Sequence, residues 1–381
     1  MLKGRQKYVF GVWVPVIFLV VYGTMVYLKG TTTPWAGQQV SQDSMIIEEP
    51  QAEREKPPIL PYMRPERPQN TTAYPSTTPL RPVGEGTANA SFVLLARNSD
   101  IEGVLSSMES IEKRFNKRFG YPWVFLNEEE FDEEFKRRVT EATSAQVSFG
   151  VIPYDDWYPP EWIDEEKAME GRQKMQDKDI IYADSVPYRN MCRFNSGFFF
   201  RHPLLQYYKY YWRVEPGISY TCDINHDPFQ YMIDHNKIYG FTITLTEWEP
   251  TIPTLWESVK EFTESHPEYL HSNNAIHFLS DNNGETYNLC HFWSNFEIAD
   301  LDFFRSEAYG KFFEFLDSKG GFYYERWGDA PIHSMAVALF ADRNKLHFFD
   351  DFGYRHPPFE TCPSGEVRAF RKCECGPAFS I

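Results

Sequence analysis

Three carboxylates of this chain sit where carboxylates are costly. Glu215 in "RVEP", Glu297 in "SNFEI" and Asp329 in "ERWGDAP" each interrupt strongly aromatic sequence. A charged carboxylate among aromatic rings must be paired, hydrogen-bonded, metal-bound or shifted in pKa, because a dry site penalises the bare charge. Each therefore reads either as a structural ion pair or helix cap, or as a group that stabilises developing charge or holds a cation. For Asp329 the structural alternative is the N-cap of a helix over "APIHSMAVALF".

Oxygen-liking cations such as magnesium or manganese take carboxylates and tolerate imidazole. Four acid clusters have that character: Asp155-Asp156, Asp300-Leu301-Asp302, Asp350-Asp351, and Asp223 to Asp227 with His226 between them. The last closes the stretch "WRVEPGISYTCDINHD", which reads as a metal site, a sugar site or a solvated turn. Such pairs recur by chance in a chain with 54 acids, so each stands only as a candidate.

Composition narrows the ligand. The chain has 381 residues, 42% hydrophobic and 17% aromatic, enough for one large or two modest cores. Its net charge of −16 argues against a nucleic-acid binder, since phosphate backbones need neutralising cations. An acidic surface rich in Tyr and Trp suits uncharged polar ligands, above all sugars, whose C–H faces pack on rings while acids bond their hydroxyls. When a sugar leaves a nucleoside diphosphate, negative charge grows on the diphosphate and positive charge on the sugar. A divalent cation offsets the first and a carboxylate the second.

The elements that must position these groups follow from periodicity. "SFVLLAR" (91–97), "YPWVFLN" (121–127) and "AQVSFGVIP" (145–153) have strand length. Ile101, Val104, Leu105, Met108, Ile111, Phe115 and Phe119 have helical spacing, and "EEFDEEFKRRVTEAT" reads as a polar helix. Alternation of this kind predicts a largely parallel α/β sheet. Ligands collect beyond strand C-termini in such sheets, so a nucleotide is expected near Arg97 and Asn98, with Ser99 or Asp100 as the next helix cap. No GxGxxG or P-loop is present, which leaves dinucleotide dehydrogenases and ATPases unsupported. Further on, Leu204, Tyr208 and Tyr211 follow helical spacing, as do Phe312, Phe315 and Leu316, whereas 193–195 and 294–297 read as loops.

The N-terminal part is a separate matter. Residues 8–28 are uncharged and long enough to cross a membrane, and Lys3, Arg5 and Lys7 precede them, so residues 1–7 are expected in the cytosol and the rest in the lumen. The proline-rich 29–90 reads as an extended spacer, with sequons at Asn70 and Asn89, ahead of a catalytic domain at 91–381. All six cysteines fall on the lumenal side, where disulfides are expected. Zinc is disfavoured: Cys373-Glu374-Cys375 lacks the usual two-residue gap, and Cys290-His291 has no partner pair.

The assembled motifs resemble the fungal Golgi α-1,2-mannosyltransferases of the KTR family, glycosyltransferase family 15. The resemblance runs from about Ser91 to Cys362 and rests on "YPWVFLNEEEF", "SFGVIPYDDWYPPEWID", "YRNMCRFNSGFFFRHPLL", "YYWRVEP", "YGFTITLTEWEPTIPTLW", "NLCHFWSNFEI", "ERWGDAPIHS" and "DDFGYRHPPF". It implies an α/β fold of GT-A type, Rossmann-like, behind a transmembrane helix and stem at the Golgi membrane. It also implies retaining transfer of mannose from GDP-mannose to the 2-hydroxyl of a mannosylated acceptor, with Mn2+. Carried over by motif, Glu215 and His356 are the expected metal ligands, and Glu297 faces the reacting sugar as nucleophile or charge stabiliser. Asp329 is a second acid of the site, Tyr188 belongs to the donor site, and Arg97 is expected beside the nucleotide. The metal motif ends Glu215-Pro216-Gly217, leaving a single acid. Cys192 and Cys362 flank these motifs and are expected to pair, and Asp223 to Asp227 become a loop without an assigned role. Two readings from other classes remain beside this one: a lumenal glycosidase with paired carboxylates, and a mannose-binding membrane protein without activity.

Overall fold

A computed structural model of the chain describes residues 56–67 and 87–376. The expected tail (1–7), anchor (8–28), most of the spacer and the Asn70 sequon lie outside the described residues. Among the described residues no helix is long and apolar enough to cross a membrane.

Seven strands form the central sheet in the order β10-β6-β9-β4-β1-β2-β3. They are β1 (Ala90–Leu95), β2 (Trp123–Asn127), β3 (Val147–Val151), β4 (Tyr210–Val214), β6 (Tyr239–Phe241), β9 (Ile298–Asp300) and β10 (Leu346–Phe348). The strands β5 (Ser219–Tyr220), β11 (Tyr354–His356) and β12 (Phe359–Thr361) make a small second sheet, and β7 (Thr244–Thr246) pairs with β8 (Cys290–Phe292).

The two-residue strand period sorts the apolar side chains onto two faces. Phe92, Leu94, Trp123, Phe125, Tyr210 and Trp212 point into one core, packed under the helix Ile101–Ile111 and the helix Glu133–Glu141. Val93, Val124, Leu126 and Tyr211 point into the other, beneath the helices Val186–Gly197, Glu307–Ser318 and Asp329–Phe340. With both faces covered, β1 and β2 read as near-continuous apolar runs with Ser91 and Asn127 as the polar exceptions, as buried parallel strands do.

The first three strands and both expected helices stand where periodicity placed them, and β2 and β4 each run parallel to β1. The sheet is mixed rather than uniformly parallel, because β9 runs antiparallel to both β4 and β6. Two local readings are corrected. Tyr211 belongs to the central strand β4, not to a helix: the aromatic run "YYKYYW" fits a spacing of 3.6 as well as one of 2, and sheet pairing decides. Residues 193–195 lie inside the helix Val186–Gly197, capped by the Ser185 hydroxyl. Residues 294–297 are a loop, as expected.

Two departures concern the expected spacer. Residues 56–67, expected within a solvated spacer, lie against the domain through several hydrogen bonds. Asn89 is exposed, and its carbonyl accepts from the Lys209 and Tyr210 amides at 3.0 Å, tying the domain's first strand to β4.

Candidate active site

Strand β4 ends at the centre of the sheet, and its period of two sends Tyr211, Arg213 and then Glu215 to one side. Antiparallel β9 begins beside that end, so the residue just before it, Glu297, is brought alongside; the Arg213 amide donates to the Glu297 carbonyl at 2.9 Å. The helix Asp329–Phe340 starts at the same edge. Its cap is Gly328, so Asp329 is the first helical residue and not the N-cap. The carboxylate is engaged instead by Arg213 Nη1 and by the Ser294 hydroxyl at 2.7 Å.

Arg213 is the hub of the site. Its Nη2 donates to Glu215 Oε1 at 2.6 Å, while Nη1 meets Asp329 and lies 4.0 Å from Glu297 Oε1. Burial opposes the charge on Arg213, but Asp329, Glu215 and Glu297 outweigh it and hold the guanidinium well above its ordinary pKa. Conversely, burial raises the carboxyl of Glu215 and that of Asp329, but Arg213 together with His356 at Glu215, and Arg213 together with His333 and Ser294 at Asp329, outweigh it and leave both below the usual range.

His356 arrives on β11, which pairs with β5. The turn leading into β5 uses Gly217 at φ +83°, a conformation that favours glycine, so this position serves the backbone. The result places His356 Nε2 3.3 Å from Glu215 Oε2. Burial lowers the imidazole pKa, yet the Glu215 hydrogen bond and charge prevail and raise it.

Glu297 is 1% exposed, and both its oxygens are taken. Oε1 accepts from the Tyr211 hydroxyl at 2.6 Å; Oε2 accepts from the Tyr239 hydroxyl at 2.8 Å and faces His333 Nδ1 at 3.0 Å. The other His333 nitrogen meets the Asn195 carbonyl at 3.0 Å. Both ring nitrogens of His333 therefore face oxygen atoms, which fixes the ring between the helix Val186–Gly197 and Glu297.

Arg97, Tyr188, Glu215, Glu297, Asp329 and His356 all line one cavity of about 790 Å³. Arg97 stands exposed at its rim, clasped by Asp100 at 3.1 Å through two nitrogens. Asp100 also accepts from the Arg97 amide, which is its contribution at the helix start. Tyr188 stacks on Tyr182 with ring centres 4.6 Å apart, under the Arg326 guanidinium. The nearby Cys192 thiol and burial keep its hydroxyl well above the usual phenol pKa.

The acid clusters have other employment. Asp223 pairs with Arg114 at 2.9 Å, and Asp227 caps the helix Pro228–Asp234, so the loop is structural. Asp155 pairs with Arg67, Asp351 with Arg371, and Asp300 with Lys209. Sequence reading missed Arg213, Ser294, Tyr211, Tyr239 and His333. Signals existed for two of them: Arg213 is two residues from Glu215 on a strand, and His333 is four from Asp329 on a helix, spacings that share a face.

The expected Cys192–Cys362 disulfide is not formed. Cys222 pairs with Cys373 and Cys362 with Cys375, while Cys192 is a buried thiol and Cys290 is free. All four bonded sulfurs lie within 4.8 Å of one another, as zinc ligands would, but paired this way they offer no thiolate. The bridges flank the small sheet that carries His356. A Cys373→Ser protein, opening a link across 151 residues, is expected to lose about 2–5 kcal/mol of stability, read as a lowered Tm.

The sequence profile described as glycolipid 2-alpha-mannosyltransferase matches residues 39–381. The chain is 55% identical over 293 residues to the O-glycoside alpha-1,2-mannosyltransferase omh1 of Schizosaccharomyces pombe, covering 77% of this chain and 75% of that protein. Among solved structures it is similar to the Saccharomyces cerevisiae mannosyltransferase Ktr4p in complex with GDP, with a TM-score of 0.75, 44% identity and coverage of 83% and 82%. It is equally similar to core-mannan synthase A of Aspergillus fumigatus in its Mn/GDP form, with a TM-score of 0.74, 44% identity and coverage of 78% and 80%.

Proposed function

The chain belongs to the glycolipid 2-alpha-mannosyltransferase family, and from that membership we propose that it is a retaining α-1,2-mannosyltransferase. It moves mannose from GDP-mannose to the 2-hydroxyl of a mannose on N- or O-linked glycans, using Mn2+, on a fold of GT-A type. The observation that best supports a site for this chemistry is the Glu215–His356 pair, 3.3 Å apart in the cavity at the C-terminal end of β4.

Glu215 and His356 are the residues that would hold manganese, a carboxylate oxygen and an imidazole nitrogen being ligands this cation accepts. Three carboxylates around one guanidinium leave surplus negative charge for a divalent cation to balance. Held by these two residues, Mn2+ would supply positive charge against the negative charge that builds on the departing diphosphate. Tyr188, kept protonated, donates to a phosphate oxygen, and Arg97 adds positive charge at the rim. Glu297 sets a fixed negative charge under the sugar as its anomeric carbon turns cationic. With both oxygens already held, it acts as stabiliser rather than as attacking group. Asp329 fixes Arg213 and Ser294 and accepts from a substrate hydroxyl.

A glycosidase would need one carboxyl held protonated to serve the leaving group. Asp329 and Glu215 are both held ionised, which speaks against it. A single-pass type II anchorage in the Golgi membrane through residues 8–28, with the catalytic part lumenal, belongs to the same proposal and is supported by the charge bias before residue 8.

Residues 56–381, incubated with GDP-mannose, Mn2+ and α-methyl mannoside, are expected to yield an α-1,2-linked disaccharide and GDP. Free mannose released without a nucleotide donor would establish the glycosidase instead, and no product with or without metal would remove the transferase reading.

A further inference from the structure

Helix Tyr154–Trp157, the loop after it and helix Glu165–Asp177 form an excursion between β3 and the helix Val186–Gly197. From this excursion and the start of the next helix come Trp157, Ile181, Tyr182, Ser185 and Tyr188, one whole wall of the active-site cavity. Its outer side is gripped by Lys56 to Arg67.

The grip runs the length of the segment. Lys56 donates to the Gln176 carbonyl and pairs with Asp179, both at 2.6 Å, and Gln176 donates back to the Pro57 carbonyl at 3.0 Å. The Tyr62 amide donates to Glu165 Oε1 at 2.6 Å, the same oxygen that meets the buried Arg172 at 2.5 Å. Arg64 donates to the Pro160 carbonyl at 3.0 Å, and the Tyr154 hydroxyl donates to the Pro65 carbonyl at 2.8 Å. Arg67 pairs with Asp155 and lies over the Tyr154 ring. Tyr62 is half-buried and packs against the core that contains Val93 and Tyr211, beside Tyr158. Burial, with Tyr158 next, pushes its hydroxyl up to about 12. Prolines 57, 58, 61 and 65 hold the segment extended, so little chain entropy is lost on docking.

We propose that residues 56–67 are a brace belonging to the catalytic domain, and that Tyr62 is a positioning residue that fixes the Trp157–Tyr188 wall for the donor. The wall is also held from inside, by Tyr324 on Asp164 and by Arg189 on the Tyr182 carbonyl, so loosening the brace weakens donor binding without dismantling the site. A wall that contacts ground state and transition state alike affects KM more than kcat.

This rests on the GDP-mannose reading, and the test separates the two. In the full chain, Tyr62→Ala, Tyr62→Phe and a replacement of 56–67 by glycine and serine of equal length are compared with wild type. Tyr62→Ala and the replacement are expected to raise KM for GDP-mannose about five- to tenfold with kcat within about twofold, and Tyr62→Phe to restore it. Amide hydrogen exchange across 154–185 is expected to quicken in the first two and not in the third, with 307–318 unchanged as the folding control. Wild-type KM and exchange in both the alanine variant and the replacement would overturn the brace. A wild type that turns over no GDP-mannose would remove the function reading instead, and the exchange result would still decide the brace.

Discussion

A Glu297→Gln enzyme is expected to lose about a thousandfold in kcat, ~4 kcal/mol of transition-state stabilisation, with its affinity for GDP and Mn2+ within about twofold of wild type. The substitution keeps shape and removes charge. It also replaces an acceptor oxygen by an amide nitrogen among donors, since the Tyr211 and Tyr239 hydroxyls both donate to Glu297. Wild-type turnover in this variant would remove Glu297 from any catalytic role. The stabiliser role is separated from the nucleophile role by Glu297→Ala with added azide. A missing nucleophile is replaced by azide with formation of a mannosyl azide, whereas a missing electrostatic stabiliser gives no such product. The saturation of both carboxylate oxygens predicts that none forms.

The second large effect is on metal dependence. Glu215→Ala and His356→Ala are each expected to raise the Mn2+ concentration needed for half-maximal turnover by about a hundredfold, since each removes one of two facing ligand atoms. Glu215→Ala carries a further consequence, because Arg213 loses one of its carboxylates and turns wholly to Asp329 and Glu297. Glu215→Gln, which keeps an oxygen for Arg213, should therefore recover stability but not metal affinity. The measurement is turnover against added Mn2+ after chelation, with the electron-spin signal of bound Mn2+ as an activity-independent readout. An unchanged Mn2+ requirement in both alanine variants would place the cation elsewhere.

Much of the site was legible because its motifs are local. Glu215, Glu297, Asp329, Tyr188, His356 and Arg97 were all singled out from residue type, setting and family motif, and all six line one cavity. The acid clusters looked more like metal sites than Glu215 did. They are caps and salt bridges, because an acid beside a helix start or an arginine is satisfied there without any ligand. Strand–helix alternation also came through, except in the aromatic stretch before Glu215, where two periods fit the same residues.

Short-range periodicity therefore determined the α/β layering by itself, and residue type with the motifs that carry the family resemblance determined the class of chemistry and the catalytic candidates, since those properties are carried by neighbours in sequence. Only the tertiary structure decided what those candidates touch. The antiparallel placing of β9 sets Glu297 beside Arg213, 84 positions away by number. The β5–β11 pairing brings His356 to Glu215, and folding of the C-terminal segment over Cys222 selects the disulfides. Residues 56–67 read as part of a free spacer because proline disfavours a core, yet they dock, since an already extended chain needs only hydrogen-bond partners and one pocket for Tyr62. Each of these is a pairing between distant segments, and it depends on strand order and register, which no local pattern encodes.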